Sequence, residues 1–563
     1  MIAVLLVPTP ATAGVTTLMP GVKYERETHL IGGSPVVVHV VRTPSHGGLY
    51  RLRPAISNNT VVGRQTVPAM QRSRAATATS VGVNGDRFQE SSGRPSGVFL
   101  RNGVLYTRAF EARSSLAIAF DGRLLVDRFG FRGWWRAGEN DRHLLEQVND
   151  VAVPPGVALF TPARGGRTPR ISGVFEVVFA RFPRAMLNGW LTGTVTNVRW
   201  NGGTAIPPRG AVLQARGTAR PLLRREARAG TQVTVRLRMP LLPDDAADAI
   251  GGGPLLVRNG NPVRNAGEYF SLSQLAPRHP RTAVGQRANG SLLFVVADGR
   301  LPWSRGVTNW QLARLMARLG AVTAMGLDAG GSSTLAFEGR ALNTPPGGTL
   351  RPVSNALFLE YYGIHAPAVT GPPLSPNGDG VVDSKTLVAK VVRRSRIELR
   401  LVRPNGTVAW RREEVVGPRS VTRRVGVPRM QQGRWRWVTE ATEISSGRTS
   451  RAVRRFMVNR TLGHLTVSKD RVRVRPRRGG RLALAVSLTR EAQLDVSVRR
   501  GGRVVRALFT GRAAPGAKKW VWNGRTASGR VAGNGRYVVR VRARNGLGAV
   551  SLQDALRVVR VRR

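Results

Sequence analysis

Residues 308–337 read TNWQLARLMARLGAVTAMGLDAGGSSTLAF, a passage that resolves into a helix, a strand, a turn and a second strand. Thr308 and Gln311 stand at capping-box spacing, Leu312, Leu315, Met316 and Leu319 repeat at helical intervals, and Gly320 ends the run. Residues 321–327 are then apolar over a length that suits a buried strand. Asp328 therefore falls just past a strand end, ahead of the small residues Ala329-Gly330-Gly331-Ser332-Ser333-Thr334, and residues 335–337 resume as strand. A carboxylate in that position is held by a rigid element. The small residues beside it let backbone N–H groups approach a ligand closely.

Further short motifs lie on both sides. Upstream are Val83-Asn84-Gly85-Asp86-Arg87-Phe88, Gly251-Gly252-Gly253-Pro254-Leu255-Leu256, Arg281-Thr282-Ala283-Val284-Gly285 and Asp298-Gly299-Arg300, and downstream is Arg351-Pro352-Val353-Ser354-Asn355-Ala356. In this order they resemble the phosphodiester glycosidase family over residues 22–363. One departure stands out: the family pattern Asp-Gly-Gly-Gly-Ser has Ala329 at its first glycine here. If that position required φ > 0, alanine would strain the loop.

The resemblance implies hydrolysis of the bond between a sugar's anomeric carbon and a phosphate oxygen, as in an N-acetylglucosamine phosphate linked to a glycan or envelope polymer. Such a reaction separates an oxocarbenium-like sugar from a phosphate anion, and so needs positive charge on the phosphate and a carboxylate near the sugar. On that basis Asp328 and Asp298 are the candidate catalytic carboxylates. Arg281 and Arg300 are the candidates for the phosphate, assisted by Thr282, Ser332, Ser333, Thr334 and the backbone of Gly330 and Gly331. Asn84 and Gly85 are candidate substrate contacts, with a plain turn as the alternative.

The chain has 563 residues, enough for three to four domains, and a formal net charge of +56. Nearly all of the positive charge is arginine, since only Lys23, Lys385, Lys390, Lys469, Lys518 and Lys519 are lysines. The arginines run through every segment without forming a helix stripe, so they are read either as compositional drift or as attraction to polyanions. No zinc-finger, helix-turn-helix or RNP-type pattern points to a specific nucleic acid. Cysteine is absent, which removes disulfides, thiolate metal sites and a cysteine nucleophile. The seven histidines lack tight ligand spacing, which argues against zinc. His279 is read as a packing residue or an entrant to the site.

Residues 1–13 are read as a shortened signal peptide, with an apolar run at 2–7 and Ala11-Thr12-Ala13 as the cleavage site; a first strand is the alternative. No apolar run approaches the roughly 20 residues of a membrane span. Residues 22–363 are mostly short alternating strands with few helices, and residues 240–250 are read as holding a short one. An α+β, β-rich catalytic domain follows from this pattern. Proline and turn residues make 364–374 a linker. Two all-β Ig-like sandwich modules are expected at 375–460 and 464–563. The second contains Trp520-Val521-Trp522-Asn523-Gly524 and Gly535-Arg536-Tyr537, and resembles the Ig-like domain of flagellar hook-capping proteins. Ser375, Asn377, Asp379, Gly380 and Asp383 resemble the start of a calcium loop, with Thr386 where a bidentate glutamate would stand; Asn377, Asp379 and Asp383 are weak calcium candidates.

The sequence thus leads to an exported bacterial phosphodiester glycosidase acting on a phosphorylated glycan or envelope polymer. A non-catalytic glycan or envelope binder, or a polyanion binder, are its alternatives.

Overall fold

The computed structural model describes residues 14–264, 266–426 and 430–561, so the segment read as a signal peptide lies outside the described residues. The chain divides into two compact units, Met1–Tyr362 and Gly363–Arg563.

In the first unit an eight-stranded antiparallel sheet has Ser34–Ser45, Ser291–Ala297, Arg281–Arg287 and Ala321–Gly326 as its central strands, in that order. The helix Asn309–Arg318 covers one face, burying Leu312, Leu315 and Met316 against Val36, Val295 and Ala283. Its N-terminus carries the expected capping box, with the Gln311 amide N–H donating to Thr308 Oγ1 at 3.1 Å and the Thr308 N–H donating to Gln311 Oε1 at 2.9 Å. The opposite face packs Val284, Phe294 and Met325 against Val81, Val83 and Leu357 of a five-stranded sheet that includes Thr79–Asn84 and Asn355–Tyr361. The ends of these strands converge, and the 328–334 loop lies between them: Asn84 N–H donates to Thr334 O, and Asp328 N–H to Gly85 O.

A separate core around Trp135, Phe175 and Phe179 joins a four-stranded and a five-stranded sheet in the same unit. Residues 240–250 hold no helix. Asp244 and Asp245 lie in a turn, and Ala246–Gly251 is a strand paired with Ser115–Ala119 and Phe99–Arg101. Those partners lie far away in sequence, and pairing with them overrides the local helical pattern.

The second unit contains two β-sandwiches. In the first, the pair Lys385–Val391 and Arg419–Val425 faces a four-stranded sheet across a core centred on Trp437. Ile364, Ala366 and Leu374 belong to that core, so the stretch read as a linker is packed into the module. The second sandwich sets three strands against five around Trp522 and Tyr537, whose ring centroids lie 5.9 Å apart. Trp522 Nε1 donates to Arg525 O at 2.8 Å, closing the Asn523-Gly524 turn over the core. Gly524 has φ +72, and a Cβ there would meet Val474 at 2.5 Å, which accounts for the glycine.

The loop with the calcium-like pattern is closed by its own backbone. Both oxygens of Asp383 are taken, one by the N–H groups of Asn377 and Gly378 and the other by that of Gly380. Among the described residues no group of three or more His, Cys, Asp or Glu side chains is placed to hold a metal.

Candidate active site

Asp328 is fixed by its backbone before its carboxylate is considered. Asn84 Nδ2 donates to Asp328 O at 2.8 Å, and the Leu327 N–H donates to Thr282 O at 2.9 Å. Asn84 Oδ1 meanwhile accepts from Thr282 Oγ1 at 2.8 Å and from the Thr334 N–H at 3.0 Å. Fully buried and holding both ends of the loop, the Asn84 and Thr282 side chains are scaffold groups. Gly85 shares that role, its N–H donating to Asn355 O at 2.9 Å.

The Asp328 carboxylate retains a small exposure, 16%, and Oδ1 accepts from the Ala329 N–H at 3.0 Å. Arg87 Nε lies 3.9 Å from the same oxygen. Burial pushes the carboxyl above its ordinary range, opposed by the Ser332 hydroxyl, Arg87, the Ala329 N–H and Arg351. The result is a carboxylate that is poorly hydrated and faced by positive charge.

The loop itself is unstrained at Ala329, which has φ −112 and ψ −176, ordinary extended backbone. The left-handed residue is Gly330, at φ +68. The departure from the family pattern therefore falls where any residue fits, and the concern that alanine would distort the loop does not hold. At Gly331 a Cβ would come within 2.8 Å of Arg351 Nε, so this glycine makes room for a guanidinium over the turn. Ser332 and Ser333 are fully buried, and the Ser333 hydroxyl has no hydrogen-bond partner among the described residues. Thr334 is spent on the turn, its Oγ1 donating to Ser332 O at 3.1 Å.

The candidate arginines divide. Arg281 is 4% exposed and is engaged by carbonyls: Nε donates to Val307 O at 2.9 Å, and Nη2 is shared among Gln274 O, Leu275 O and Pro277 O at 2.9 to 3.1 Å. It is a clamp on the end of the short helix Leu272–Leu275, rather than the free phosphate ligand expected from its motif, although it still lines a narrow cleft with Arg87, Phe270, Thr282, Asn309 and Ala329. Burial, with Arg87 and Arg300 nearby, lowers it to about 10, so it stays charged at neutral pH. Arg300 is exposed and adopts φ +58, with Nη2 3.1 Å from His279 Nδ1. Burial and then Arg300 and Arg281 lower the His279 pKa, so a neutral imidazole accepts from Arg300. A Cβ on Gly330 would lie 3.6 Å from the Arg300 guanidinium, which puts Arg300 beside the loop.

Asp298 is not brought to the same exposed face. It is fully buried and accepts from His39 Nε2 at 3.1 Å, Asn343 Nδ2 at 3.4 Å and the Thr344 N–H at 3.2 Å. Asn343 Nδ2 also donates to Ser333 O at 3.1 Å, and Tyr24 OH lies 2.9 Å from His39 Nδ1. Asp298 is thus a positioning group that steadies the 328–334 loop through Asn343.

Arg87 and Arg351 join the site from within the motifs at 83–88 and 351–356, where no local pattern marks either for a role. Asp86, Arg113 and Phe270 are further members. Asp86 is buried, accepting from the Gly97 N–H at 2.6 Å and the Arg87 N–H at 2.7 Å, and burial raises it to about 7 with Asp328 adding to the rise. Arg87 and Arg113 lie over the Phe270 ring at 5.2 and 5.1 Å.

Residues 185–360 match the family model described as phosphodiester glycosidase. Over 121 residues the chain is 33% identical to the SPbeta prophage-derived uncharacterized protein YomE of Bacillus subtilis (strain 168), which covers 22% of this chain and 18% of that protein. Over 106 residues it is 29% identical to the N-acetylglucosamine-1-phosphodiester alpha-N-acetylglucosaminidase of Mus musculus, covering 17% of this chain and 20% of that one. The chain therefore spans about a fifth of the length of the curated relatives it matches. A hypothetical protein from Synechocystis superposes with a TM-score of 0.54 at 24% identity, over 63% of this chain and 64% of that one, a likeness of fold. The match at 185–360 takes in Arg281, Asp298, Arg300 and the whole Asp328 loop, so it is this part of the chain that is similar to the phosphodiester glycosidase family.

Proposed function

We propose that this protein hydrolyses a sugar 1-phosphodiester of a glycan or envelope polymer, releasing free sugar and leaving a phosphomonoester. The observation that supports it most is the setting of Asp328: a slightly exposed carboxylate on a doubly anchored loop, with Arg87, Arg300 and Arg351 around it. As the bond from C1 to the phosphate oxygen breaks, the electron pair leaves with the phosphate. The arginines stabilise that anion with charge-assisted hydrogen bonds. Asp328 offers negative charge to the sugar cation, and water supplies the hydroxyl that ends on C1 while its remaining proton passes to the departing phosphate or to solvent. The Ser333 hydroxyl is an uncommitted donor at the same loop.

The test is release of sugar from a panel of p-nitrophenyl sugar phosphodiesters, starting with N-acetylglucosamine, by the native protein and by Asp328→Asn. The variant is expected to keep its melting temperature and to lose about 10³-fold in kcat. Undiminished turnover in Asp328→Asn would remove it from the mechanism, and no release of any sugar would favour a binding protein. That rival reading drew on a distorted loop, and the extended backbone at Ala329 takes its structural motive away. Export rests on the reading of residues 2–13 and is tested by N-terminal sequencing of protein recovered outside the cell.

A further inference from the structure

The outer face of one sheet in the first unit carries a row of side chains that the hydrolytic site does not use. In the sheet formed by His143–Leu145, Arg132–Ala137, Gln232–Arg238 and Trp190–Thr194, the residues Leu144, Trp134, Arg236 and Trp190 stand directly opposite one another on adjacent strands. Alternation sends Trp135, Val233, Val235, Leu237 and Leu191 into the core and leaves this row outside. The Arg236 guanidinium lies over Trp190 at 4.4 Å and over Trp134 at 5.9 Å, and Arg142 adds a second cation over Trp190 at 5.8 Å.

Three features make this more than surface packing. The outward positions of the three strands Arg132–Ala137, Gln232–Arg238 and Trp190–Thr194 hold Arg132, Arg136, Arg236 and Arg238 and no carboxylate. Arg236 Nε is buried against the indoles without a hydrogen-bond partner among the described residues. Trp190 and Leu144 remain 52% and 76% exposed. A guanidinium stacked on indole keeps its in-plane N–H groups for an anion, while the indoles offer apolar faces and edges to sugar C–H groups. With strands about 4.8 Å apart, four residues in a row span about 14 Å, a length suited to several units of a chain. The row opens at one end into a cleft of about 630 Å³ lined by Arg108, Arg132, Trp134, Arg142 and the carboxylate of Glu146.

We infer that the Trp134–Arg236–Trp190 ladder is a binding surface for an anionic glycan in which sugars alternate with phosphates. It holds such a polymer on the first unit independently of the Asp328 site. The inference stands on charge and stacking at this face and does not require the hydrolytic reading.

The experiment measures binding of phosphomannan, of uncharged mannan of the same length, and of single-stranded DNA with the same number of phosphates, to the full chain carrying Asp328→Asn so that nothing is turned over. Trp190→Ala combined with Arg236→Gln is expected to weaken phosphomannan binding about tenfold. Arg236→Lys, which keeps the charge and loses the planar fork, is expected to lose a similar amount. Arg542→Gln, an exposed charge in the second unit, is the control, with a change below about twofold expected. With Asp328 intact, hydrolysis of a small soluble sugar phosphodiester should be unaffected by the ladder variants. Unchanged phosphomannan binding in the ladder variants would overturn the inference, as would an equal loss in Arg542→Gln, which would mark a general charge effect. DNA bound as tightly as phosphomannan through the same residues would replace the glycan with a nucleic acid.

Discussion

Ala329 shows how one dihedral decides between two accounts of this loop. Because its φ is −112, glycine at that position would add freedom to the unfolded chain and relieve nothing in the folded one. Ala329→Gly is expected to lower stability by about 0.4–1 kcal/mol and to leave turnover where it was; a large gain in kcat would revive the idea of a damaged enzyme. Gly330→Ala is the contrasting change, since φ +68 costs an alanine about 1 kcal/mol or more, and activity should fall with it. The charges around the loop set the response to pH. Burial raises the Asp328 carboxyl, so activity that needs its ionised form should rise along an acid limb displaced above the ordinary carboxylate range. Arg87→Ala withdraws a positive neighbour and should move that limb higher still, which a pH profile of kcat/KM would show. Asp86 acts on stability. Its carboxyl is raised from 3.8 to about 7 on folding, so the folded state binds the proton more tightly, and stability is lost as pH climbs through that window. Urea midpoints measured from pH 4 to 8 should therefore fall, and a flat profile would contradict a carboxyl raised by burial at Asp86.

At the scale of elements, what the sequence discloses depends on how far apart the interacting residues are. The helix Asn309–Arg318 was legible because cap, apolar period and stop glycine all lie within thirteen residues, and the strands at 321–326 and 335–337 followed from the same local run. Ala246–Gly251 was misread because its partners at 99–101 and 115–119 decide its conformation. The site shows the same division. Asp328 was placed correctly past a strand end, whereas Arg87 meets it across more than 200 residues of chain and Arg351 reaches the loop from the next strand entry. Arg281 carried a motif but its acceptors are the carbonyls of 274, 275, 277 and 307, which no side-chain pattern reveals. This reassignment changes the outcome expected of its removal. Arg281→Ala leaves several buried carbonyls without their donor and should cost at least about 2 kcal/mol, with Arg281→Lys a poor rescue because one ammonium cannot reproduce the planar fork. Thermal melting of the two variants, beside kcat for the fraction that remains folded, separates a clamp from a phosphate ligand: a variant that melts like the native protein and has lost only turnover would restore the phosphate role.

At the scale of the whole molecule, each unit has cores of its own. The first holds its own hydrophobic clusters and the groups assigned around Asp328, while the second builds two sandwiches on Trp437 and Trp522. Packing of Ile364, Ala366 and Leu374 into the first sandwich puts the natural cut just before them. Two fragments, residues 14–362 and 363–563, should each unfold cooperatively, as independent cores require. The first should retain kcat/KM for a small soluble sugar phosphodiester within about twofold of the full chain, since no residue assigned to the chemistry lies beyond Tyr361. The second should release no sugar. Loss of turnover in a well-folded 14–362 fragment would show that the sandwiches complete the site, and would move part of the catalytic assignment beyond residue 362.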